Sequence, residues 1–127
     1  MLILMHANEV LLQKRPGAGI WGGLWTFPEC EAAQEAPLLA QRVYGCEIAR
    51  TERLTPLKHS FTHFTLQIEP LLLSVSRRLP RAAQPGIAWL NAQAALSEAL
   101  PTPTKKILRA LNPSAAANQT ALFEEAL

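Results

Sequence analysis

The chain contains no aspartate: all ten of its acidic residues are glutamate. Any mechanism that needs an Asp base, nucleophile or metal ligand is therefore excluded for this chain. Cysteine is also scarce. Cys30 and Cys46 are too few for a disulfide framework, and without a Cys-x-x-Cys spacing they form no zinc or redox motif; both are expected as buried thiols. No apolar run approaches the roughly 20 residues that span a bilayer, and Met1 to Met5 carries neither the basic start nor the small-residue cleavage site of a secretory signal. A cytoplasmic protein with no membrane partner is the expectation. Twelve Lys and Arg against ten Glu leave a formal charge of +2, which permits contact with nucleic acid without requiring it. What is present is 127 residues, 49% of them apolar, enough for one domain with its own core.

Leu2-Ile3-Leu4-Met5 and Val10-Leu11-Leu12-Gln13 predict two short strands around the turn Ala7-Asn8-Glu9, an opening hairpin. From Arg15 to Gly23 four glycines and a proline break every period, which predicts a loop anchored by Trp21 and Trp25. Glu35-Ala36-Pro37 opens a helix whose apolar face is Ala36, Leu39 and Val43, with Gly45 as its C-cap. Two strands follow over 54–61 and 64–75. In the second, Phe64, Leu66 and Ile68 alternate with Thr65, Gln67 and Glu69, and Ser60-Phe61-Thr62-His63 forms the hairpin tip between the two strands. The basic, proline-containing stretch from Arg77 to Gly86 predicts a surface loop before a last strand at Ile87-Ala88-Trp89-Leu90. Thr102 caps a final helix with Pro103 in its first turn and Ile107, Leu108 and Leu111 on its apolar face; Asn112-Pro113 ends it. There are no internal repeats. The pattern predicts an α+β fold, a mixed-sheet α/β sandwich, with residues 1–112 as the domain and 113–127 as an Ala-rich tail, either frayed or loosely docked through Leu122-Phe123.

The order strand, Gly-rich loop, Trp-x-Phe-Pro, helix resembles the front half of a Nudix domain. Such domains hydrolyse nucleoside diphosphates linked to other groups, using helical glutamates to hold the magnesium ions that polarise the pyrophosphate. Gly23 and Glu29 have the signature's spacing, but the helix reads Pro37-Leu38-Leu39-Ala40-Gln41-Arg42-Val43-Tyr44-Gly45. With Gly45 as the closing glycine, the three metal-binding Glu positions hold Leu39, Arg42 and Val43, and a shift of one residue still recovers no Glu. The resemblance implies a Nudix-like fold with a degenerate Nudix box and no metal site. Glu29 and Glu31 are relics of the opening.

A second resemblance is more specific. Leu11-Leu12-Gln13-Lys14-Arg15-Pro16, continuing through Gly19-Ile20-Trp21-Gly22-Gly23-Leu24-Trp25 to Phe27-Pro28, and then Lys58-His59-Ser60-Phe61-Thr62-His63-Phe64, is similar to the C-terminal domain of MutY-type adenine DNA glycosylases. It covers about residues 1 to 112. Members of that family remove adenine mispaired with 8-oxoguanine, and their C-terminal domain is a Nudix-like module that checks the oxidised base. The resemblance implies a DNA-repair role, with duplex DNA carrying 8-oxoguanine opposite adenine as partner. The family's catalytic half carries an Asp, a Glu and four cysteines around a four-iron, four-sulfur cluster. With no Asp and two Cys, this chain does not contain that half, so the cluster is expected in a separate N-terminal catalytic domain, itself a partner. On that reading the chain is a bacterial, nucleoid-associated piece of a longer enzyme and does not excise adenine alone.

The family's Phe-Ser-His loop corresponds to Phe61, Thr62 and His63. Guanine offers an N7 acceptor in the major groove; oxidation at C8 places a hydrogen on N7 and a carbonyl oxygen on C8. A Thr62 hydroxyl can accept from that N7 hydrogen or donate to O8. Thr in place of Ser keeps the hydroxyl and adds a methyl that restricts its rotamer. Phe61 is a candidate wedge and His63 a candidate base or phosphate contact, while Lys58, His59, Ser60, Arg77 and Arg78 are candidate DNA contacts. By residue type alone, Phe61 equally suits a core position at a strand end, and His63 a local hydrogen bond. Trp21, Trp25 and Phe27 are read as core anchors, and Lys14 and Arg15 as solvated charges. Competing readings are a Nudix hydrolase of oxidised nucleotides and a protein-interaction module that docks a repair partner, such as a sliding clamp, through the tail or the Arg77 to Gly86 loop.

Overall fold

The side chains of strand β1 (Leu2–His6) leave on alternate sides, and that alternation decides where every later element packs. The computed structural model describes residues 1–80 and 84–111. On one side of the sheet, Leu2 and Leu4 join Leu11, Leu71, Leu73 and the helix α1 (Ala36–Tyr44). On the other, Ile3 joins Val10, Leu12, Phe27 and the helix α2 (Thr102–Leu111) through Ile107 and Leu108. One helix covers each face, so the expected mixed-sheet sandwich is what forms.

Strand β2 (Glu9–Lys14) pairs antiparallel with β1, with β3 (Trp25–Thr26) and with β8 (Ile87–Asn91). Strand β7 (Leu71–Arg78) lies parallel to β1 from Leu2↔Leu71 to Met5↔Ser74, and β4 (Cys46–Arg53) closes the far edge antiparallel to β7. The hairpin of β5 (Leu57–Ser60) and β6 (Thr65–Ile68) is a separate two-stranded sheet. Across the lower face, the buried hydroxyls of Thr26 and Thr104 share a 2.9 Å hydrogen bond that ties α2 to β3. Across the upper face, the Tyr44 hydroxyl donates to Gln13 Oε1 at 2.7 Å, and burial pushes the Tyr44 phenol above its ordinary pKa.

Several expectations need correction. Strand β4 was absent from them because it is an edge strand, exposed over residues 49–53, and its side chains show no alternation of apolar and polar. The expected strand over 64–75 is two strands, broken at Glu69-Pro70, where the Pro70 carbonyl accepts from the Leu54 N–H at 3.0 Å. Arg77 and Arg78 belong to β7, not to a loop, because the β4–β7 ladder runs on to Cys46↔Arg78. In α1 the buried pair is Ala36 and Ala40, while Val43 is 44% exposed: one helical turn beyond Ala36, the small Ala40 lets the helix lie close to the sheet. Gly45 does end α1, at φ 68, in the left-handed conformation expected of a C-cap. The first hydrogen bond of α2 runs from the Lys105 N–H to the Pro101 carbonyl, so Thr102 stands inside the helix and not at its cap. Of the two thiols only Cys46 is buried; Cys30 is half-buried and donates to the Ala32 carbonyl. The 112/113 boundary, Asn112-Pro113 and the tail lie outside the described residues.

Candidate nucleic-acid interface

The Gly-rich loop between β2 and β3 is built from glycines with distinct tasks. Gly19 (φ 94) and Gly23 (φ 78) occupy left-handed conformations, and a Cβ on Gly22 would collide with the Gly17 carbonyl oxygen. The Gly23 N–H donates to the Arg15 carbonyl at 3.1 Å and to the Pro16 carbonyl at 3.2 Å, and the Arg15 Nε donates to the Ile20 carbonyl at 2.9 Å. This folded loop holds Trp21 at φ 57, a left-handed conformation that costs a non-glycine residue about 1–3 kcal/mol. With that backbone the indole packs 5.8 Å, centroid to centroid, from both His59 and Phe61.

Alternation along β5 explains why those rings meet. Leu57, His59 and Phe61 are half-buried toward the body of the protein, while Lys58 and Ser60 are exposed. The Phe61 N–H donates to the Phe64 carbonyl at 2.7 Å and closes the tip, and the Ser60 and Thr65 hydroxyls lie 3.3 Å apart beneath it. Phe61 stacks on Phe64 at 4.6 Å and meets His59 edge-on at 4.7 Å. Thr62 and His63 are exposed at the apex and make no hydrogen bond among the described residues. The tip is thus a pair of outward-facing polar side chains on an aromatic base.

Arg77 and Arg78 are not brought to this tip. Arg77 pairs with Glu47 at 2.7 Å, and Arg78 pairs with Glu9 at 2.8 Å while lying 4.1 Å over the Trp89 ring. They stand at the end of β7 away from Leu71, where the hairpin departs; six residues of strand separate Arg77 from Leu71, about 20 Å. Lys58, His59 and Ser60 do join Phe61, Thr62 and His63. Sequence reasoning missed Trp21 and Phe64 as parts of the site. The available signal was charge: residues 14–28 and 54–68, which build the loop and the hairpin, hold Lys14, Arg15 and Lys58 and not one of the ten glutamates.

The helix that would hold magnesium does not fit the ion. Along α1 the three positions hold Leu39, which is half-buried, and Arg42 and Val43, which are exposed, and none of them carries a carboxylate. A cavity of about 500 Å³ lies between the hairpin and the sheet, lined among others by Trp21, Arg53, Glu29, Glu31 and Glu69. Three carboxylates against the Arg53 guanidinium and the Met1 ammonium, which lies 3.7 Å from Glu29, leave the lining net acidic and unfavourable to a pyrophosphate. Nor do two separated thiols fit a four-thiolate iron–sulfur cluster: Cys46 bonds toward the Tyr44 carbonyl on the buried face, Cys30 toward Ala32. No helix among the described residues is long and apolar enough to cross a membrane.

The family model described as the NUDIX domain matches residues 1–110. The adenine DNA glycosylase of Buchnera aphidicola subsp. Baizongia pistaciae is 29% identical over 107 residues, covering 84% of this chain and 30% of that protein. The adenine DNA glycosylase of Mus musculus is 31% identical over 108 residues, covering 79% of this chain and 21% of that protein. The chain therefore spans less than a third of the length of these curated relatives. The C-terminal domain of mouse MUTYH, solved in complex with human PCNA, superposes with a TM-score of 0.67 at 26% identity over 85% of this chain and 81% of that one. A Nudix hydrolase from M. smegmatis, RenU, shares the fold with a TM-score of 0.53 at 18% identity, covering 91% of this chain and 84% of that one.

Proposed function

The chain belongs to the NUDIX domain family, and from that premise we propose that it is the non-catalytic domain of an adenine DNA glycosylase that reads 8-oxoguanine opposite adenine in duplex DNA. The observation that carries this reading is the Thr62 hydroxyl, exposed and without a hydrogen bond among the described residues, at the apex of a hairpin that ring packing fixes against the Gly-rich loop. Oxidation replaces the N7 acceptor of guanine with an N–H donor and adds an O8 acceptor, so a hydroxyl at the base edge distinguishes the two bases by hydrogen-bond polarity. Lys58, Lys14 and Arg15 supply positive charge for phosphate on two segments, residues 14–28 and 54–68, that contain no glutamate. Excision of adenine, the iron–sulfur cluster and the catalytic carboxylates belong on this reading to a separate N-terminal half that engages the same duplex, in a cytoplasmic, nucleoid-associated enzyme. The competing pyrophosphatase reading lacks a donor set, since Leu39, Arg42 and Val43 stand where metal ligands are needed.

Thr62→Ala is expected to reduce discrimination between 8-oxoguanine:adenine and guanine:adenine duplexes about tenfold, the equivalent of one net hydrogen bond, while affinity for the unmodified duplex stays nearly the same. Thr62→Ser should retain discrimination. Fluorescence-anisotropy titrations measure both, and a Thr62→Ala protein that discriminates as well as the original removes the role.

A second reading, docking of a sliding clamp, is favoured by the mouse MUTYH domain having been solved with human PCNA. Its candidate segment is residues 114–127, which contain the apolar pair Leu122-Phe123. Truncation after residue 113 is expected to abolish binding to an immobilised clamp; binding that survives truncation excludes the segment.

A further inference from the structure

We propose that Phe64, and not Phe61, is the aromatic that stacks on a DNA base at this tip, with Phe61 and Trp21 as the support behind it. The inference rests on the DNA-binding reading given above and names the residue that makes the sequence-independent part of the contact. The rings themselves carry it. Phe61 touches three others, Trp21 at 5.8 Å, His59 at 4.7 Å and Phe64 at 4.6 Å, and is half-buried. A base reaching Phe61 would have to displace one of those neighbours. Phe64 is 46% exposed, and its one ring contact among the described residues is with Phe61, nearly parallel at 21°. An aromatic ring has two faces; Phe61 takes one, and no other ring among the described residues lies against the second, which can extend the stack.

The surroundings of the ring fit a polyanion better than an apolar protein surface. The hairpin that carries the ring, residues 54–68, and the loop it packs on, residues 14–28, hold Lys58, Lys14 and Arg15 and no glutamate, so both segments are cationic. An exposed aromatic among cations is the usual composition of a base-stacking platform, and it tolerates any sequence because every base has a π-face. The platform is also preordered. The tip is closed by the 2.7 Å bond from Phe61 N–H to Phe64 carbonyl, and the stack rests on a Trp21 whose left-handed backbone is fixed by the glycine loop, so little side-chain freedom remains to be lost on binding. Thr62, two residues from Phe64, is then positioned to meet a base edge while Phe64 wedges at the neighbouring step.

The test separates this contact from lesion reading. The full chain and its Phe64→Ala, Phe64→Leu and Phe64→Trp variants are titrated with two duplexes, one holding 8-oxoguanine and one guanine opposite adenine, each with 2-aminopurine beside that position to report stacking. The expected result is a five- to tenfold loss of affinity for both duplexes in Phe64→Ala, with their ratio unchanged and the 2-aminopurine response reduced. Phe64→Leu, which keeps bulk but not the π-face, should behave like Phe64→Ala, and Phe64→Trp should bind at least as well as the original. Equal thermal midpoints confirm that the variants fold. Unchanged affinity and 2-aminopurine response in Phe64→Ala overturn the proposal even if Thr62→Ala alters the ratio as expected. Conversely, a Thr62→Ala ratio that does not move, together with a uniform loss in Phe64→Ala, removes lesion reading and leaves the stacking contact in place. Loss of affinity with Phe64→Leu binding normally also overturns it, since bulk alone would then suffice.

Discussion

Phe27→Ala is expected to destabilise the domain by about 3–5 kcal/mol, the range for removing a fully buried aromatic ring from a close-packed core. Phe27 has no exposed surface and stands among the largest fully buried side chains. It follows β3 directly, so its ring enters the core shared by Ile3, Val10, Leu12 and Leu108 at the point where the Gly-rich loop rejoins the sheet. The next residue fixes the backbone, since the Pro28 carbonyl accepts from the Leu2 N–H at 2.7 Å. The ring therefore cannot be replaced by an inward shift of the chain, and the space it leaves has apolar walls that hold no water well. Against a total stability of about 5–15 kcal/mol for a domain of this kind, the loss leaves a measurable unfolded fraction. Urea titration measures it as a lower midpoint at constant slope. A change below about 1 kcal/mol would mean that Phe27 is not a core anchor. Phe27→Leu, which keeps most of the apolar volume, should lie between the two.

The parts of this fold that the sequence made legible are those where burial imposes a period. Leu2 to Met5 and Val10 to Leu12 are apolar because their sheet is covered on both faces, and Gly45 marks the end of α1 because a left-handed cap is needed there. Strand β4 gave no such sign: at the edge of the sheet its last five side chains face solvent, and only pairing with β7 makes it a strand. Arg77 and Arg78 looked like loop residues for the same reason. Their charges pair with Glu47 and Glu9, partners 30 and 69 residues away that no local pattern reveals. Of the site, the apex Thr62-His63 was legible because a turn separates two strand-like runs. Its support was not. Trp21 reaches His59 and Phe61 across about forty residues of chain, and Phe64 alternates with Leu66 and Ile68 as if it faced the core. Beyond Leu66, however, the hairpin extends past the body of the protein, so that the same face of β6 that buries Ile68 leaves Phe64 in solvent.

Gly22→Ala is expected to cost about 1–3 kcal/mol and, through Trp21, to disturb a hairpin nearly forty residues away in sequence. A Cβ at position 22 would overlap the Gly17 carbonyl oxygen and lie 2.8 Å from the Gly17 carbonyl carbon and 3.0 Å from the Pro16 oxygen, all of them backbone atoms. They cannot rotate aside as a flexible side chain would. The Pro16 carbonyl is also held by the Gly23 N–H at 3.2 Å, so relieving the overlap pulls on the bond that folds the loop. The adjacent residue is Trp21, held in a left-handed conformation only while the loop keeps its shape. Once the loop opens, Trp21 is free to return to an ordinary backbone conformation, and its indole leaves His59 and Phe61. Amide spectra should therefore show changes at Phe61 to Phe64 as large as those inside the loop, together with weaker binding to duplex DNA. Gly17→Ala is the matched control. Nothing lies within 4 Å of a Cβ there, so its stability should stay within about 0.5 kcal/mol of the original and its hairpin resonances in place. If Gly22→Ala destabilises the protein while Phe61 to Phe64 stay unmoved, the loop does not position the tip, and the hairpin keeps its shape by the Phe61 to Phe64 bond and its own strand pairing alone.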